Sequence, residues 1–254
     1  MFIDTNEAKL CATSYGPKHG SAIVGIGGWI GSSELWAEPF AILSDRWRTI
    51  AYDHRGCGAT VASVSSITHE NLVNDLIAVL DACEVEQCVL AAESSGALTA
   101  IDAALRYPQR ISHLVIVDGM YHRGPVQEND PFTQGLRMAY ETTLTRFIER
   151  CVPEADSAHI KKWGRHILNR ASQESAIALR WTGSEVDLRG KLSEITQPTL
   201  VIHGDKDMIV PLAQGQALAA AIPKSTLLVL NGAGHVPTLT RPDVVAKAII
   251  EFMR

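Results

Sequence analysis

A serine, an aspartate and a histidine, widely separated in the chain, each lie just beyond a short apolar segment. Ser94 lies in VLAAESSGAL, Asp207 in LVIHGDKDMIVP and His235 just after an apolar segment in NGAGHVP. A serine hydroxyl is a weak nucleophile that becomes reactive when a base takes its proton and an acid orients that base. These residue types, in this order, predict nucleophilic catalysis by Ser94, with His235 as the base and Asp207 as the acid.

The residues around Ser94 predict a strand that turns sharply into a helix. Ala92 and Gly96 are both small, and the turn requires small residues two positions before and after the nucleophile. Ser95 is an alternative nucleophile, and both serines could instead cap the following helix. The combination of a strand, small neighbours and a helix favours Ser94.

The acid has three candidates, each on a loop after an apolar segment. Asp207 is preferred because it has a Gly-x-x-Asp spacing beyond its segment. Asp205 lies beside a turning glycine and could only stabilise the turn, while Asp118 follows a different apolar segment. His203 lies inside an apolar segment, so we expect it to be a core residue rather than the base.

The glycine-rich segment GIGGWIGSS (25–33) allows a close approach of backbone to a ligand. Acyl transfer needs amide donors for an oxyanion, typically one after the nucleophile and one from such a loop. The sequence therefore predicts the amides of Trp29 and Ser95 as these donors, with an ordinary glycine-rich turn as the alternative.

Short β-branched segments alternate with amphipathic ones, which is typical of a parallel sheet covered by helices. The predicted strands are 22–25, 49–52, 88–92, 113–117, 199–203 and 226–230, with 9–16 as an antiparallel edge strand. The predicted core helices are 71–83, 98–107 and 244–253.

The alternation stops between residues 119 and 195, where three helical patterns follow one another without a clear strand. We predict one core domain, formed by 1–118 and 196–254, and a helical cap formed by 119–195; an extension of the core is the alternative. The predicted cap helices are 131–151, 155–169 and 172–181. The residues expected to bind substrate are Trp29, Met120, Tyr121, Met138, Trp163 and Trp181, although each could equally pack in the core.

Composition restricts the remaining function classes. The formal net charge is −5 and basic residues are outnumbered, so nucleic-acid binding is not expected. The five cysteines are scattered, which favours a reducing compartment over disulfides or a metal site. No signal pattern and no long apolar run is present, so we expect a cytoplasmic protein without membrane contact, and a homodimer stays open.

Two further motifs complete a resemblance to the α/β-hydrolase superfamily. DHRGCG (53–58) is similar to the family's Asp-x-Arg-Gly-x-Gly turn, and ALRYPQRI (104–111) resembles the segment between the nucleophile helix and the sixth strand. The resemblance implies a mostly parallel eight-stranded sheet flanked by helices, with a small helical cap after strand six. The chain departs from the family's pattern at Ala92, where Gly is usual, at Gly27, where His is common, and at Glu93, where His is also common.

The resemblance also implies an activity. It is typical of compact bacterial esterases and enol-lactonases, so we expect hydrolysis of esters or lactones without a cofactor or metal. The residues expected to bind substrate favour a small or medium apolar acyl group or lactone. A carbon–carbon bond hydrolase would use the same triad, and a ligand receptor of this fold could retain it with little turnover. A haloalkane dehalogenase would need Asp in place of Ser94.

Overall fold

The computed structural model describes residues 1–254, in which nine strands form one sheet. The strands are β1 (Phe2–Thr5), β2 (Ala8–Tyr15), β3 (Ala22–Ile26), β4 (Arg48–Asp53), β5 (Val61–Ala62), β6 (Cys88–Glu93), β7 (Ile111–Val117), β8 (Thr199–Gly204) and β9 (Ser225–Leu230). The α-helices are α1 (Ala37–Leu43), α2 (His69–Ala82), α3 (Gly96–Arg106), α4 (Pro131–Met138), α5 (Tyr140–Cys151), α6 (Ala158–Leu168), α7 (Gln173–Ser184), α8 (Leu212–Ala221), α9 (Pro237–Thr240) and α10 (Pro242–Phe252).

The main path of the sheet contains eight strands in the order β1-β2-β4-β3-β6-β7-β8-β9, and β5 pairs with β2 outside that path. β1, β2 and β5 are antiparallel to their neighbours, whereas the pairs from β4 to β9 are parallel. The mostly parallel eight-stranded prediction is confirmed, with the two-residue β5 as an additional strand. Because parallel strands point the same way, the loops after β6 and β8 lie at one edge of the sheet.

The two faces of the sheet bury two separate apolar clusters. Along β6, Leu90 and Ala92 pack in one cluster while Val89 and Ala91 pack in the other. Successive side chains of a strand point to opposite faces, and a parallel sheet is buried on both, so its central strands are apolar throughout. Helices α2, α3 and α8 contribute to the first cluster, and α1 and α10 to the second.

Several elements differ from the sequence prediction. The edge strand β1 and the helices α1, α8 and α9 were not predicted, and the predicted helix 131–151 is two helices, α4 and α5. The break lies at Ala139, whose backbone (φ −151°, ψ 61°) is not helical. An alanine carries no helix-ending signal, so the sequence could not reveal this break.

Between β7 and β8 the chain forms four consecutive helices, α4 to α7, which we call the helical insert. Asp130 starts α4 by accepting hydrogen bonds from the amides of Phe132 and Thr133, and Ser172 starts α7 by accepting one from the amide of Ser175. Leu136, Leu144 and other insert residues join the second apolar cluster. The division into a core domain and a cap domain stays a prediction.

None of the helices has both the length and the apolar character that crossing a bilayer demands. All five cysteines are free thiols, and four of them are buried. Burial raises the pKa of the Cys57 and Cys151 thiols well above the ordinary value.

Candidate active site

Ser94 follows β6 directly and occupies a strained backbone conformation, with φ at +52°. Neighbouring backbone holds this conformation in place: the Ser94 amide donates to the Val117 carbonyl at 3.0 Å, and its carbonyl accepts from the Met120 amide at 3.1 Å. A left-handed conformation at a residue other than glycine is uncommon and is concentrated at functional sites. The structure therefore presents the Ser94 side chain at a sharp strand-to-helix turn.

Gly96 shows why this turn needs a small residue. A Cβ atom added there would lie 2.5 Å from the Gly27 carbonyl oxygen, which is backbone that cannot move aside. The predicted requirement is correct, but its cause is the facing glycine-rich loop rather than a clash within the turn. The same loop contacts the nucleophile itself, because a Cβ at Gly28 would lie 2.7 Å from the Ser94 Cβ.

Three side chains from three loops form a continuous hydrogen-bonded chain. The Ser94 Oγ lies 2.8 Å from the His235 Nε2, and the His235 Nδ1 lies 2.7 Å from the Asp207 Oδ2. All three residues are buried or nearly so, with Ser94 8% and His235 2% exposed. The residues that the sequence singled out from distant segments thus meet at the carboxyl edge of the sheet.

The two alternative acids have other hydrogen-bond partners. Asp118 is fully buried and accepts a hydrogen bond from the Gly204 amide at 2.8 Å, and Asp205 accepts one from the Gly232 amide at 2.6 Å. Each ties neighbouring loops together, and neither is hydrogen-bonded to His235. The structure therefore brings only Asp207 of the three candidates to the histidine ring.

Asp207 and Asp118 are driven to opposite charge states. Burial alone raises the pKa of Asp207, but His235 and the amides of Ile209 and Val210 outweigh it and hold that pKa below its ordinary value. Burial, together with the charge of Asp207, raises the pKa of Asp118 well above its ordinary value. The site therefore favours the ionised form of Asp207 and the protonated form of Asp118.

The predicted oxyanion loop lies against the nucleophile, but one of its amides is already engaged. The Trp29 amide donates to the Ser95 Oγ at 2.6 Å. The Trp29 indole is fixed as well, because its Nε1 donates to the Ala176 carbonyl of α7 at 2.8 Å. Trp29 therefore links the loop after β3 to the helical insert.

Glu93, immediately before the nucleophile, is 1% exposed and has no cationic partner. Its Oε2 accepts a hydrogen bond from the Thr238 hydroxyl at 3.1 Å. Burial raises the pKa of Glu93 to about 8, against the opposing effect of the Thr238 hydrogen bond. The residue is therefore mainly a neutral acid at pH 7.

Ser94 and His235 open into a small, mostly apolar cavity of about 60 Å³. It lies between the predicted oxyanion loop and α5 and α6 of the insert. Its apolar lining includes Trp29, Ile30, Leu35, Phe147, Ile148, Val152, Ile160, Ile167, Leu168 and Leu239. An apolar side chain or acyl group fits such a lining better than a charged one.

Of the six residues predicted to bind substrate, only Trp29 lines this cavity. Met120 and Tyr121 pack in the other apolar cluster. Met138 is 83% exposed and Trp163 is 45% exposed. Trp181 is half-buried and does not line the cavity either, so substrate binding by these five residues stays a prediction. On α6 the cavity is lined by Ile160, Gly164, Ile167 and Leu168, and Trp163 is not among its lining residues.

Sequence reasoning missed several residues of the insert that build the site. The His235 amide donates to the Cys151 carbonyl at 2.8 Å, and the Gly234 amide donates to the Glu154 Oε1 at 2.8 Å. Phe147 packs on Trp29 with ring centroids 5.1 Å apart. The apolar spacing of α5 could have indicated that Phe147 is buried, but not what it contacts.

One group of side chains has the composition of a metal site. Ligand atoms of Asp118, His203 and Asp207 all lie within 4.8 Å of one another. However, the His203 Nε2 lies 2.9 Å from the Val210 carbonyl, which can only accept a hydrogen bond, so this nitrogen carries the proton and offers no lone pair. Asp207 is occupied by His235 and by two amides. These contacts do not fit a metal ion.

Comparison with known proteins agrees with this geometry. The sequence matches the alpha/beta hydrolase family over residues 19–248, and the chain belongs to that family. The 3-oxoadipate enol-lactonase 2 of Acinetobacter baylyi is 30% identical over 225 residues, covering 87% of this chain and 84% of that protein.

Two solved structures are similar over the whole chain. The enol-lactonase from Burkholderia xenovorans LB400 is 25% identical with a TM-score of 0.92, covering 100% of this chain and 99% of that one. A thermophilic esterase from Thermogutta terrifontis is also 25% identical, with a TM-score of 0.89 and coverage of 100% and 97%. Together, the family and its relatives identify the chain as a hydrolase of this fold.

Proposed function

We propose that the protein is a serine hydrolase that cleaves carboxylic esters or lactones through an acyl-enzyme on Ser94. The observation that carries this proposal is the hydrogen-bonded chain from Ser94 through His235 to Asp207, at 2.8 and 2.7 Å. Because Asp207 is ionised, it accepts the Nδ1 proton of His235, which leaves the Nε2 lone pair directed at the serine hydroxyl. This is the tautomer that a general base needs.

In the first half of the cycle, the Ser94 Oγ attacks the carbonyl carbon and His235 takes the hydroxyl proton. The tetrahedral oxyanion collapses to an acyl-enzyme when His235 returns the proton to the leaving alcohol, which stays attached to the acyl chain if the substrate is a lactone. Water then attacks the carbonyl carbon of the acyl-enzyme, and His235 accepts the proton of that water. His235 delivers the proton to the Ser94 Oγ as the carboxylic acid leaves. No step of this cycle requires a cofactor.

The amides of Ser95 and Trp29 are the proposed oxyanion donors. Since the Trp29 amide donates to the Ser95 hydroxyl at 2.6 Å, that hydroxyl has to rotate away or share the amide when the oxyanion forms. The fully buried Glu93 acts in this proposal as a neutral, hydrogen-bonded acid, which keeps a second negative charge away from the oxyanion.

The substrate class rests on the small apolar cavity beside Ser94 and on the relatives named as enol-lactonases and an esterase. A cavity of about 60 Å³ suits a short acyl chain or a small lactone ring. Its lining residues come from both the oxyanion loop and the insert, so chain length is expected to be selected by α5 and α6.

Labelling with a fluorophosphonate tests the nucleophile. Wild type should react covalently and Ser94→Ala should not, while His235→Ala should react at least about 1,000-fold more slowly. Ser95→Ala is the matched control, since the neighbouring hydroxyl is not the proposed nucleophile, and it should still be labelled. Labelling of Ser94→Ala at the wild-type rate would disprove the assignment.

A panel of 4-nitrophenyl esters and small lactones tests the activity itself. We expect Asp207→Asn to reduce kcat by about 1,000- to 10,000-fold, because Asn favours the wrong histidine tautomer. Asp118→Asn should retain most activity, since Asp118 is not hydrogen-bonded to His235 and Asn can still accept the hydrogen bond from the Gly204 amide. Equal losses in the two variants would show that Asp207 is not the orienting acid.

A further inference from the structure

The loop of residues 232–235, which carries His235, is held by two different elements. The first is the loop after β8, where the Lys206 amide donates a hydrogen bond to the Ala233 carbonyl at 2.9 Å. The second is the segment of residues 151–154 in the helical insert, which begins at the last residue of α5. The position of the histidine therefore depends on the insert as well as on the sheet.

Two consecutive amides of this histidine loop donate to the insert. The His235 amide donates to the Cys151 carbonyl at 2.8 Å. The Gly234 amide donates to the Glu154 Oε1, also at 2.8 Å. Hydrogen bonds at two adjacent residues fix the direction of the backbone as well as its position, and with it the bond from which the imidazole extends. Glu154 is the side chain that the insert contributes to this contact.

The packing at Gly234 leaves no room between the insert and the histidine loop. A Cβ atom added at Gly234 would overlap the Cys151 carbonyl oxygen and the Pro153 Cδ. The same atom would lie 3.1 Å from the Glu154 Oε2. Because a backbone carbonyl and a proline ring cannot rotate aside, glycine is needed where the two elements approach this closely. A displacement of the insert is therefore transmitted to the histidine loop.

The carboxylate of Glu154 is costly for the fold. Its Oε2 is buried without a hydrogen-bond partner, and such acceptors are uncommon in folded proteins because they lower stability. Glu149, on α5 of the same insert, shows the ordinary arrangement, since its carboxylate is 52% exposed and pairs with Lys161 at 2.7 Å. The stability of the insert therefore does not account for Glu154, whereas its contact with the Gly234 amide does.

This contact acts on the side chain that transfers protons in the proposed reaction. The His235 Nε2 lies 2.8 Å from the Ser94 Oγ, which is a hydrogen-bonding distance. A shift of about 1 Å in such a group can lower a rate about 100-fold, because the reacting atoms leave their aligned positions. Glu154 does not line the cavity beside Ser94, so its loss is expected to affect turnover rather than substrate binding.

We propose that Glu154 is a positioning residue for His235. By accepting the hydrogen bond from the Gly234 amide, its carboxylate holds the histidine loop so that the imidazole stays within reach of the Ser94 Oγ. This inference deepens the proposed function and rests on it, because it concerns the base of the proposed triad. The insert thus has a second role: besides lining the cavity, it holds the base in place.

Steady-state kinetics with the 4-nitrophenyl ester that wild type hydrolyses fastest test this role. Glu154→Ala should lower kcat about 10- to 100-fold and leave KM within about threefold, because a hydrogen bond to a charged acceptor is lost. Glu154→Gln should keep kcat within about fivefold of wild type, since its amide oxygen can still accept from Gly234. Glu149→Ala is the matched control, because it removes an insert carboxylate at the surface, and it should change kcat less than about twofold.

Thermal unfolding of the same variants separates positioning from folding. A purely structural role would lower the melting temperature of Glu154→Ala and leave kcat of the folded enzyme unchanged, and this result would overturn the proposal. Equal losses of kcat in Glu154→Ala and Glu154→Gln would also overturn it, since Gln retains the acceptor. So would a loss that appears in KM instead of kcat.

Crystal structures of wild type and Glu154→Ala test the position of the base without relying on turnover. In wild type the distance between the His235 Nε2 and the Ser94 Oγ should be that of a hydrogen bond, and in Glu154→Ala it should exceed about 3.5 Å. A retained hydrogen bond in the variant, or none in wild type, would contradict the proposal. If wild type is neither labelled by fluorophosphonate nor active, the proposed function fails, whereas these two structures still decide whether Glu154 positions His235.

Discussion

Arg55 in the core and Arg123 beside the insert illustrate two ways in which this chain buries a guanidinium. Arg55 is 1% exposed and pairs with Asp75 through two hydrogen bonds, of 2.7 and 2.8 Å. A third contact, to the Asn6 carbonyl at 2.6 Å, ties the loop after β4 to the β1–β2 turn. Arg123 has a lowered pKa and one long hydrogen bond to a carbonyl.

The difference separates a structural charge from a charge that has no ionic partner. A buried ion pair holds two elements in one arrangement, and losing either partner leaves an uncompensated charge. Arg123 takes part in no ion pair, and its guanidinium loses hydration on burial with only one long hydrogen bond in exchange. The following substitutions would sharpen this distinction or break it.

Asp75→Asn should have the largest effect, a loss of about 3 to 5 kcal/mol in the free energy of unfolding, because it strands Arg55 in the core. Urea unfolding of purified protein measures it. Asp81→Asn is the control, since Asp81 pairs with Arg110 at the surface and is 63% exposed, and it should cost less than about 1 kcal/mol. Similar losses in both variants would remove the basis for calling Arg55 structural.

Glu93 is a buried carboxyl group without a cationic partner. It therefore tests the same distinction, between a buried group with an ion pair and one without, on an acidic side chain. Burial raises its pKa in the folded protein from 4.5 to about 8, so between these pH values the folded state keeps a proton that the unfolded state loses. Stability therefore falls as pH rises through this window. Glu93→Gln should remove this fall. Between pH 5 and 8, the free energy of unfolding of wild type should decrease by roughly 3 kcal/mol more than that of the variant.

Unfolding curves at several pH values compare the two proteins. Gln can still accept the hydrogen bond from Thr238, so the substitution tests the charge rather than the contact. Parallel pH dependences in wild type and variant would show that Glu93 does not titrate in this range.

Arg123→Gln should raise the free energy of unfolding by about 1 kcal/mol in the absence of ligand, because it removes a poorly solvated charge. Arg146→Gln, at an exposed position on α5, should change it by less than about 0.5 kcal/mol. Thermal unfolding measures both. A marked loss of stability in Arg123→Gln would make Arg123 a structural residue like Arg55.

Local chemistry made much of the fold and part of the site predictable. The β-branched segments identified β3, β4, β6, β7, β8 and β9 because a strand buried on both faces is continuously apolar. Ser94, Asp207 and His235 could be selected because each follows such a strand, and parallel strands end at a common edge. Secondary-structure boundaries without a capping or breaking residue, such as the division between α4 and α5, could not be read from the chain.

The sequence by itself determined the class of fold, the strand ends that carry the candidate triad and the small residues that the turn requires. Only the tertiary structure decided which insert side chains meet the serine and that the Trp29 amide bonds to Ser95. The physical reason is that strand and turn patterns are local, whereas a cavity is formed by the packing of helices whose contacts are not encoded by spacing. The same reason explains why five of the six predicted pocket residues lie outside the cavity, while the three residues of the candidate triad meet.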